Sequence, residues 1–394
     1  MRRQHRRYGG TGKTLVIIAI LALIALFAGL LYYSHVQDEK QAEELRAIAE
    51  QQREERRAEE EAKQQEAEEL RLKEENDSFY QKLADGFDVS ILIVGDSIGA
   101  GTGASAEEYR WANVLASSLQ EKYGVKVTTT NVSMGGNASY AGYVRTAALN
   151  DGVDYDAVIL CYGQNDSRIN FEIYYEALIR IVKDKYPTSS IFSILESSQK
   201  DYTEKMGIIQ ELANYYGIPV ADTIAPFQAD YDSLVKDSVH PNDDGQAVYA
   251  ETVEAMIDKN VASYCGRDEA KEATKGYVDA FGNYKWIPAD QFERVGNTYI
   301  FTGEMSGVVM GTDYTFVSGE NNCEIYLDDM KYAAPEVSFN YDFSQRHIMI
   351  VNSWVDDEGK VTGENVKAEK AITVKFPDDG NDQADGFKGI MISW

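Results

Sequence analysis

The chain has 394 residues, with 65 acidic and 38 basic side chains and a net charge of −27 at pH 7. This length exceeds one average domain and predicts two or three folded units. Arg2, Arg3, Arg6, Arg7 and Lys13 crowd the N-terminus, and the rest of the chain is acidic in net charge. Because a strongly negative body repels phosphate, the composition argues against a nucleic-acid partner.

An apolar segment near the N-terminus, TLVIIAILALIALFAGLLYY (residues 14–33), carries no charge. As a helix it is about 30 Å long, enough to cross a bilayer. Basic residues precede it, and Asp38 and Glu39 follow, which predicts a cytoplasmic N-terminus and an exported remainder. A cleaved signal peptide is the alternative. The segment is longer than a usual signal core and lacks an A-x-A site, so we expect an uncleaved single-pass anchor in the cell membrane.

Residues 37–77 are rich in Glu, Ala, Gln and Arg and contain no Gly or Pro. This composition predicts a solvated helical stalk, and pairs such as Glu59/Lys63 support it at the i,i+4 spacing. Apolar positions such as Leu45 and Leu70 are too sparse for a sustained heptad seam. A coiled coil that dimerises the protein is the alternative.

Five short apolar runs then alternate with helical stretches, up to about residue 262. They are VSILIV (89–94), KVTTTNV (126–132), AVILCY (157–162), SIFSIL (190–195) and IPVAD (218–222). Runs that are apolar on both faces predict a parallel sheet covered by helices on both sides, a three-layer α/β/α fold. In the first helix, Ser105 and Glu108 predict a capping box and Gly124 a C-terminal end.

After about Gly276 the helical periodicity disappears, and strand-like runs separated by Gly, Asn and Asp predict a separate β-sandwich. Its aromatic residues fit a core, and glycan binding is the alternative. The predicted domains are a cytoplasmic basic tail (1–13), a transmembrane anchor (14–33), a charged helical stalk (34–82), an α/β domain (86–265) and a β-sandwich accessory domain (270–394).

Functional residues of an open parallel sheet lie at the carboxyl ends of its strands. The segments that follow the strands here are GDSIG (95–99), NVSMGGNAS (131–139), GQND (163–166) and, after the fifth strand and a loop, DSVHP (237–241). We therefore expect these four segments to meet at one edge of the sheet.

The four segments carry complementary chemistry. A serine such as Ser97 is a poor nucleophile until a base takes its proton, and an imidazole such as His240 suits that task. A carboxylate, here Asp237, orients the imidazole through its other nitrogen. His240 is the only histidine of the α/β unit; the others are His5, His35 and His347. The alternative is that Asp237 and Asn242 only cap the next helix, with His240 on the surface.

Together these blocks resemble the SGNH/GDSL hydrolase superfamily, over roughly residues 88–260. The resemblance implies an SGNH-type, flavodoxin-like fold with Ser97 as nucleophile and Asp237 and His240 completing the triad. It also implies an oxyanion hole formed by Ser97, Gly136 and Asn165. Two positions depart from the family pattern: Ile98 replaces leucine, and Ser133 replaces the first glycine of the second block. Gly135 is thus an alternative to Gly136, which the spacing from Asn131 favours.

Other interpretations of the motifs are less consistent. GDSIG also fits the nucleophile elbow of α/β-hydrolases, but in that fold several strands precede the elbow, and here none do. One histidine and a core cysteine, Cys161, leave no zinc set, and residues 377–386 lack the spacing of a calcium loop. We expect no cofactor and no metal. Three cysteines form no disulfide framework, although a bridge between Cys265 and Cys323 is left open.

The sequence therefore predicts a membrane-anchored extracellular serine esterase. Its expected substrate is an acylated carbohydrate, most plausibly an O-acetyl group on a cell-wall or extracellular polysaccharide, cleaved through an acyl-enzyme. An O-acetyltransferase that uses the same triad on a polysaccharide hydroxyl is one alternative. A non-catalytic carbohydrate-binding surface protein is another.

Overall fold

The structure is a computed structural model that describes residues 11–168, 170–263, 282–303, 305, 307–316, 319–328, 330–333, 336–339, 345–349, 367–377 and 382–393. The predicted cytoplasmic tail up to residue 10 and Cys265 lie outside these ranges, so the structure does not test a Cys265–Cys323 bridge. The chain divides into two units, residues 1–75 and residues 76–394.

The first unit is a single long helix, α1 (Thr11–Asn76), of 66 residues. Its apolar N-terminal part is exposed along its whole length, with a mean hydropathy of 3.0 over the most apolar window. Among the described residues, this is the one helix that is long and apolar enough to cross a membrane, a test that a signal sequence also passes. The charged segment continues the same helix, as predicted from its composition.

The second unit begins with a short helix, α2 (Phe79–Asp85), which the sequence analysis placed in the stalk. Ser78 caps it, with Gln81 as the reciprocal partner of a capping box, and Gly86 ends it in the left-handed conformation. Its apolar side chains are buried in the core of the α/β fold. The stalk helix therefore ends at Asn76, and the α/β unit starts before the predicted residue 86.

The five predicted strands form one parallel sheet in the order β2-β1-β3-β4-β5. The strands are β1 (Val89–Gly95), β2 (Val127–Asn131), β3 (Ala157–Cys161), β4 (Ser190–Leu195) and β5 (Val220–Asp222). This is the flavodoxin-like order, which reverses direction next to β1 and places a crevice at the carboxyl ends of β1 and β3.

Both faces of the sheet are buried, as the apolar runs predict. Along β1, Leu92 and Val94 belong to one core cluster, whereas Ile91 and Ile93 belong to the other. The first cluster contains residues of α4 (Ser139–Ala148), α5 (Phe171–Lys185) and α6 (Glu204–Tyr216). The second contains residues of α2, α3 (Trp111–Tyr123), α7 (Ile224–Gln228) and α8 (Asp243–Ser263). The three-layer α/β/α prediction is confirmed.

The capping box predicted at Ser105 and Glu108 is wrong. Helix α3 begins only at Trp111, after a short 3-10 turn that includes Glu108. Ser105 instead bonds to Asp243 on α8, through its N–H (2.7 Å) and its hydroxyl (2.6 Å). A tertiary partner has thus replaced the local one. Gly124 ends α3 in the left-handed conformation, as predicted.

The C-terminal part consists of antiparallel sheets. The strands are β6 (Tyr284–Pro288), β7 (Glu293–Val295), β8 (Thr298–Thr302), β9 (Gly307–Phe316), β10 (Gly319–Asn322), β11 (Glu324–Leu327), β12 (Met330–Ala333), β13 (Glu336–Phe339), β14 (Gln345–Met349), β15 (Lys367–Ala368), β16 (Ala371–Lys375) and β17 (Phe387–Ser393). Two sheets, β12-β11-β16-β8-β7 and β14-β9-β17-β6, share one apolar core; β15 pairs with β9, and β10 with β13.

The sequence predicted a β-sandwich separate from the α/β part. In the structure the two parts are joined. Along β17, Ile390 and Ile392 face the core of the β part, whereas Met391 lies in the core cluster of α4 and α5. The hydroxyls of Tyr143 on α4 and Ser393 on β17 are 3.0 Å apart. Alternation along one strand therefore joins two hydrophobic cores, and both parts belong to one compact unit.

Candidate active site

The serine lies in a tight turn directly after β1. Asp96 holds the turn, because its Oδ1 accepts the N–H of Ile98 at 2.8 Å. Gly99 is required by close packing: a Cβ there would lie 2.8 Å from the Ser133 hydroxyl and 2.9 Å from the Gly95 Cα. Ser97 lies just past the carboxyl end of β1 and is only 8% exposed to solvent.

The histidine lies in a compact loop before α8. Oδ1 of Asp237 accepts the N–H groups of Val239 (2.7 Å) and His240 (2.8 Å), which closes the loop around the carboxylate. Asn242 caps α8, since its Oδ1 accepts the N–H of Gly245 at 3.0 Å. The capping interpretation thus holds for Asn242 only, and Asp237 serves the histidine loop.

The two loops bring three side chains into one hydrogen-bonded chain. His240 Nε2 lies 2.9 Å from Ser97 Oγ, and its Nδ1 lies 2.8 Å from Asp237 Oδ2. A carboxylate on Nδ1 favours the tautomer with a proton there and leaves Nε2 free to accept the serine proton. The arrangement is that of a nucleophile, a general base and a carboxylate that orients the base.

Asp237 is ionised in this arrangement. Its partial burial by itself raises the pKa, but hydrogen bonds from the backbone and ring of His240 and from the N–H of Val239 outweigh that effect and lower the pKa to about 2. The negative charge is therefore present throughout the neutral range and stabilises a positive charge that forms on His240.

A buried amide fixes the serine loop against the histidine loop. Gln246 on α8 is fully buried; its Oε1 accepts the N–H of Trp111 (2.9 Å), and its Nε2 donates to the carbonyls of Thr102 (3.2 Å) and Pro241 (3.1 Å). Gly103 lies at the same junction with φ = +105°, and a Cβ there would come within 2.3 Å of the Pro241 carbonyl. The junction sets the distance between Ser97 and His240.

Replacing Gly103 by alanine is therefore expected to push the histidine loop away from Ser97 and to lower kcat by about 10- to 100-fold, the range that small misplacements cost. The matched control is Gly124→Ala at the end of α3, where φ is +69° but no atom lies within 4 Å of the added Cβ. Both variants lose stability because of their backbone strain. Equal kcat values for the two variants, measured with a chromogenic ester, would contradict this role of the junction.

The predicted oxyanion residues lie around the serine turn. Gly135 lies close to the serine turn, because a Cβ there would be 3.6 Å from Ser97 Cβ. Gly136 is the next residue and has φ = +75°. Nδ2 of Asn165 donates to Asp96 Oδ2 and to the carbonyl of Asn137, at 3.1 Å each. Asn165 thus links the third block to both the first and the second.

Two buried acids accompany Asn165. Oδ1 of Asp166 accepts the N–H (2.9 Å) and hydroxyl (2.6 Å) of Ser139 at the start of α4, and burial raises the pKa of Asp166 to about 6. Glu196, which directly follows β4, accepts the N–H of Gln164 on Oε2 at 2.6 Å. The predicted site segments follow the other four strands, and the same rule applied to the end of β4 identifies Glu196.

Among the residues that the structure describes, no group of three or more His, Cys, Asp or Glu side chains is arranged to hold a metal ion.

Comparisons with known proteins give a family match and a similar fold. Residues 93–248 match the model of the GDSL-like Lipase/Acylhydrolase family. A two-domain esterase (CEX) active on acetylated mannans, co-crystallised with mannopentaose, has a similar structure: TM-score 0.62, 16% identity, covering 79% of this chain and 93% of that chain. A second crystal structure of this two-domain esterase gives a TM-score of 0.58 at 17% identity, with the same coverage.

The psychrotrophic esterase EstA from Pseudoalteromonas sp. has 18% identity and a TM-score of 0.38, covering 44% of this chain and 100% of that chain. A search of curated protein sequences found no match.

The family match spans all four sequence blocks, and the fold is the one that those blocks predict. The match over residues 93–248 confirms the SGNH/GDSL resemblance of the α/β part. The family match supports an ester hydrolase.

Proposed function

We propose that this protein removes O-acetyl groups from a polysaccharide through an acyl-enzyme, with Ser97, His240 and Asp237 as its catalytic triad. The observation that carries the proposal is the continuous hydrogen-bonded chain from Ser97 Oγ through both ring nitrogens of His240 to Asp237. A serine next to a base that is itself oriented by a carboxylate is the arrangement that activates a hydroxyl for attack.

In the first half-reaction, Nε2 of His240 takes the Ser97 proton while Oγ attacks the acetyl carbonyl carbon. The tetrahedral intermediate collapses, and the protonated imidazole returns the proton to the departing sugar oxygen. In the second half-reaction, His240 takes a proton from water, the hydroxide attacks the acyl-enzyme, and acetate leaves as the proton returns to Ser97.

We assign the oxyanion hole to the N–H of Ser97, the N–H of Gly136 and Nδ2 of Asn165, with Gly135 as the alternative second donor. Both hydrogens of the Asn165 amide are engaged in the described arrangement, one by Asp96 and one by the Asn137 carbonyl. We expect the hydrogen on Asn137 to turn to the oxyanion when substrate binds, because catalytic hydrogen bonds commonly form only in the reacting complex.

Replacing Asn165 by alanine should lower kcat by about 10²- to 10³-fold, the usual effect of losing one oxyanion donor. KM should change little, since the donor acts mainly on the charge that develops in the transition state. The control is Asn260→Ala, which removes an amide that bonds only within α8. A kcat of Asn165→Ala within threefold of the control would exclude Asn165 from the oxyanion hole.

The proposed substrate is supported by the likeness to the two-domain esterase active on acetylated mannans, which extends over 79% of this chain. At 16% identity this likeness concerns the fold, so the acetylated polysaccharide remains a proposal. We propose that the β part, residues 270–394, is an accessory domain that contacts the glycan.

The proposed location is the outer face of the cell membrane. The exposed apolar part of α1 supports a single-pass anchor over residues 14–33, preceded by a cytoplasmic tail and followed by the stalk. The basic residues before the anchor support a cytoplasmic N-terminus. A solvated stalk is the proposed form of the charged segment, and dimerisation through a coiled coil is its alternative.

The test of the proposed function uses the full chain in detergent, with p-nitrophenyl acetate and acetylated mannan as substrates, and Ser97→Ala as its inactive partner. Acetate release without an acceptor supports the esterase. Acetylated sugar that forms only with an added oligosaccharide acceptor would instead identify an O-acetyltransferase. No turnover of a wider ester panel by the unaltered protein would support the non-catalytic alternative.

A further inference from the structure

Glu196 is the buried acid that the proposed mechanism does not use. It directly follows β4, and its side chain is inaccessible to solvent. Its Oε2 accepts the N–H of Gln164 at 2.6 Å, and its Oε1 accepts the thiol of Cys161 at 3.5 Å. Gln164 precedes Asn165, so the carboxyl of Glu196 lies directly beneath the turn that presents the oxyanion amide.

The same turn packs closely against this carboxyl at Gly163. Gly163 has φ = +146°, and a Cβ there would come 3.3 Å from Glu196 Oε2 and 2.7 Å from a methyl group of Met206. The main chain of the turn is therefore packed closely onto Glu196 on one side.

Glu196 also reaches the second support of Asn165. Its carboxyl lies beside that of Asp96, which is likewise inaccessible to solvent. Asp96 in turn accepts the Ile98 N–H of the serine turn and one hydrogen of the Asn165 amide. Glu196 therefore holds the turn of Asn165 through the Gln164 N–H and adjoins the acid that holds both the nucleophile turn and the oxyanion amide.

We propose that Glu196 is a positioning residue for the oxyanion hole, acting as a neutral acid that donates its proton to Asp96. With Asp96 and the Gln164 N–H held in place, one hydrogen of the Asn165 amide is anchored and the other is aimed at the oxyanion. This inference rests on the proposed function and adds a residue to it.

The protonation state follows from the contacts. Burial raises the pKa of Asp96 to about 7, although the hydrogens that it accepts from Ile98 and Asn165 favour its ionised form. Two buried carboxyls side by side do not both ionise, and in this proposal Glu196 supplies the shared proton. Burial first, and the charge of Asp96 second, raise the pKa of Glu196 well above its usual range. The other titratable groups around Glu196 and its turn are Cys161, Asp166, Tyr175, Tyr249 and Lys205. A second negative charge here would oppose the oxyanion.

The test compares Glu196→Gln with Glu196→Ala in the full chain. Glutamine keeps a donor for Asp96 and an acceptor for the Gln164 N–H, so kcat should stay within about threefold of the unaltered protein. Alanine removes both, so kcat should fall about 10- to 100-fold with KM within about twofold, as expected for a misaimed oxyanion donor. Glu176→Gln and Glu176→Ala are the matched controls, because Glu176 is equally buried but bonds to Tyr216 on α6.

A second readout needs no knowledge of the natural substrate. Diethyl p-nitrophenyl phosphate reacts when Ser97 Oγ bonds to phosphorus, p-nitrophenolate leaves, and the serine proton passes to His240. Its phosphoryl oxygen occupies the oxyanion hole, so the labelling rate, followed by intact mass, should fall for Glu196→Ala and persist for Glu196→Gln.

Stability against pH gives a third readout. An unfolded glutamate releases its proton near its ordinary pKa of 4.5, whereas folded Glu196 keeps it. Stability of the unaltered protein should therefore fall, relative to Glu196→Gln, as the pH rises above the ordinary pKa of glutamate. The difference in thermal midpoint between the two should widen with that rise.

The possible results distinguish a failure of this inference from a failure of the proposed function. If Glu196→Ala is labelled and turns over at the rate of Glu176→Ala, Glu196 has only a structural role. If Glu196→Gln loses as much as Glu196→Ala, Glu196 is not a neutral donor. If the unaltered protein neither turns over esters nor reacts at Ser97, the proposed function itself fails, before any variant is compared.

Discussion

Replacement of Ser97 by alanine is expected to lower kcat for ester hydrolysis by at least about 10⁴-fold. The change removes the only atom that forms the acyl-enzyme in the proposed mechanism. The remaining oxyanion donors leave a small residual rate over that in water. KM should stay within about threefold, because the missing hydroxyl contributes little to ground-state binding.

The measurement is the steady-state rate with p-nitrophenyl acetate, together with labelling by diethyl p-nitrophenyl phosphate, which should disappear. The control is Ser118→Ala on α3, which removes a serine hydroxyl that bonds to Glu254 on α8. An alanine variant at position 97 that keeps more than a few per cent of the activity would require another nucleophile.

Replacement of His240 by alanine should lower kcat by a similar factor, at least about 10⁴-fold. The reason is different: Ser97 remains, but no group within hydrogen-bonding distance takes its proton. Because the two residues act as one unit, the double variant Ser97→Ala/His240→Ala should be no worse than either single variant. Additive losses in the double variant would show that the two side chains act independently.

The matched control for this prediction is His35→Ala on α1, where the imidazole is exposed and 3.6 Å from Glu39. It should turn over esters at the unaltered rate.

The pH profile adds a check on Asp237: since its pKa is about 2, it stays ionised above about pH 3 and does not contribute to a loss of activity between pH 4 and pH 7. The stabilisation from the ionised form is likewise present above about pH 4 and lost only as the pH falls toward 2.

The sequence was sufficient for the α/β fold because its signals are local and repeated. Each of the five strands is a short apolar run, and β4 (Ser190–Leu195) matches its predicted bounds. The convergence of Ser97 and His240 followed from topology: residues at the carboxyl ends of neighbouring parallel strands meet at one edge, however far apart they are in sequence.

The differences arose where tertiary partners outweigh local patterns. Phe79 and Tyr80 follow a long charged helix, so their role in the core became apparent only from their packing. Ser105 has the spacing of a helix cap, yet a carboxylate 138 residues away binds it instead. Glu196 has an ordinary sequence context, and only its burial beside Asp96 reveals a charge that must be neutralised.

The strand β17 has a consequence for protein engineering. Neighbouring side chains near its end lie in two different cores, with Met391 on one side and Ile390 and Ile392 on the other. Cutting the chain after α8 would expose the apolar surface of α4 and α5 that Met391 covers. The truncated α/β fragment should therefore aggregate. The α/β part is therefore not expected to fold well by itself, and chimeric proteins should contain both the α/β part and the β part.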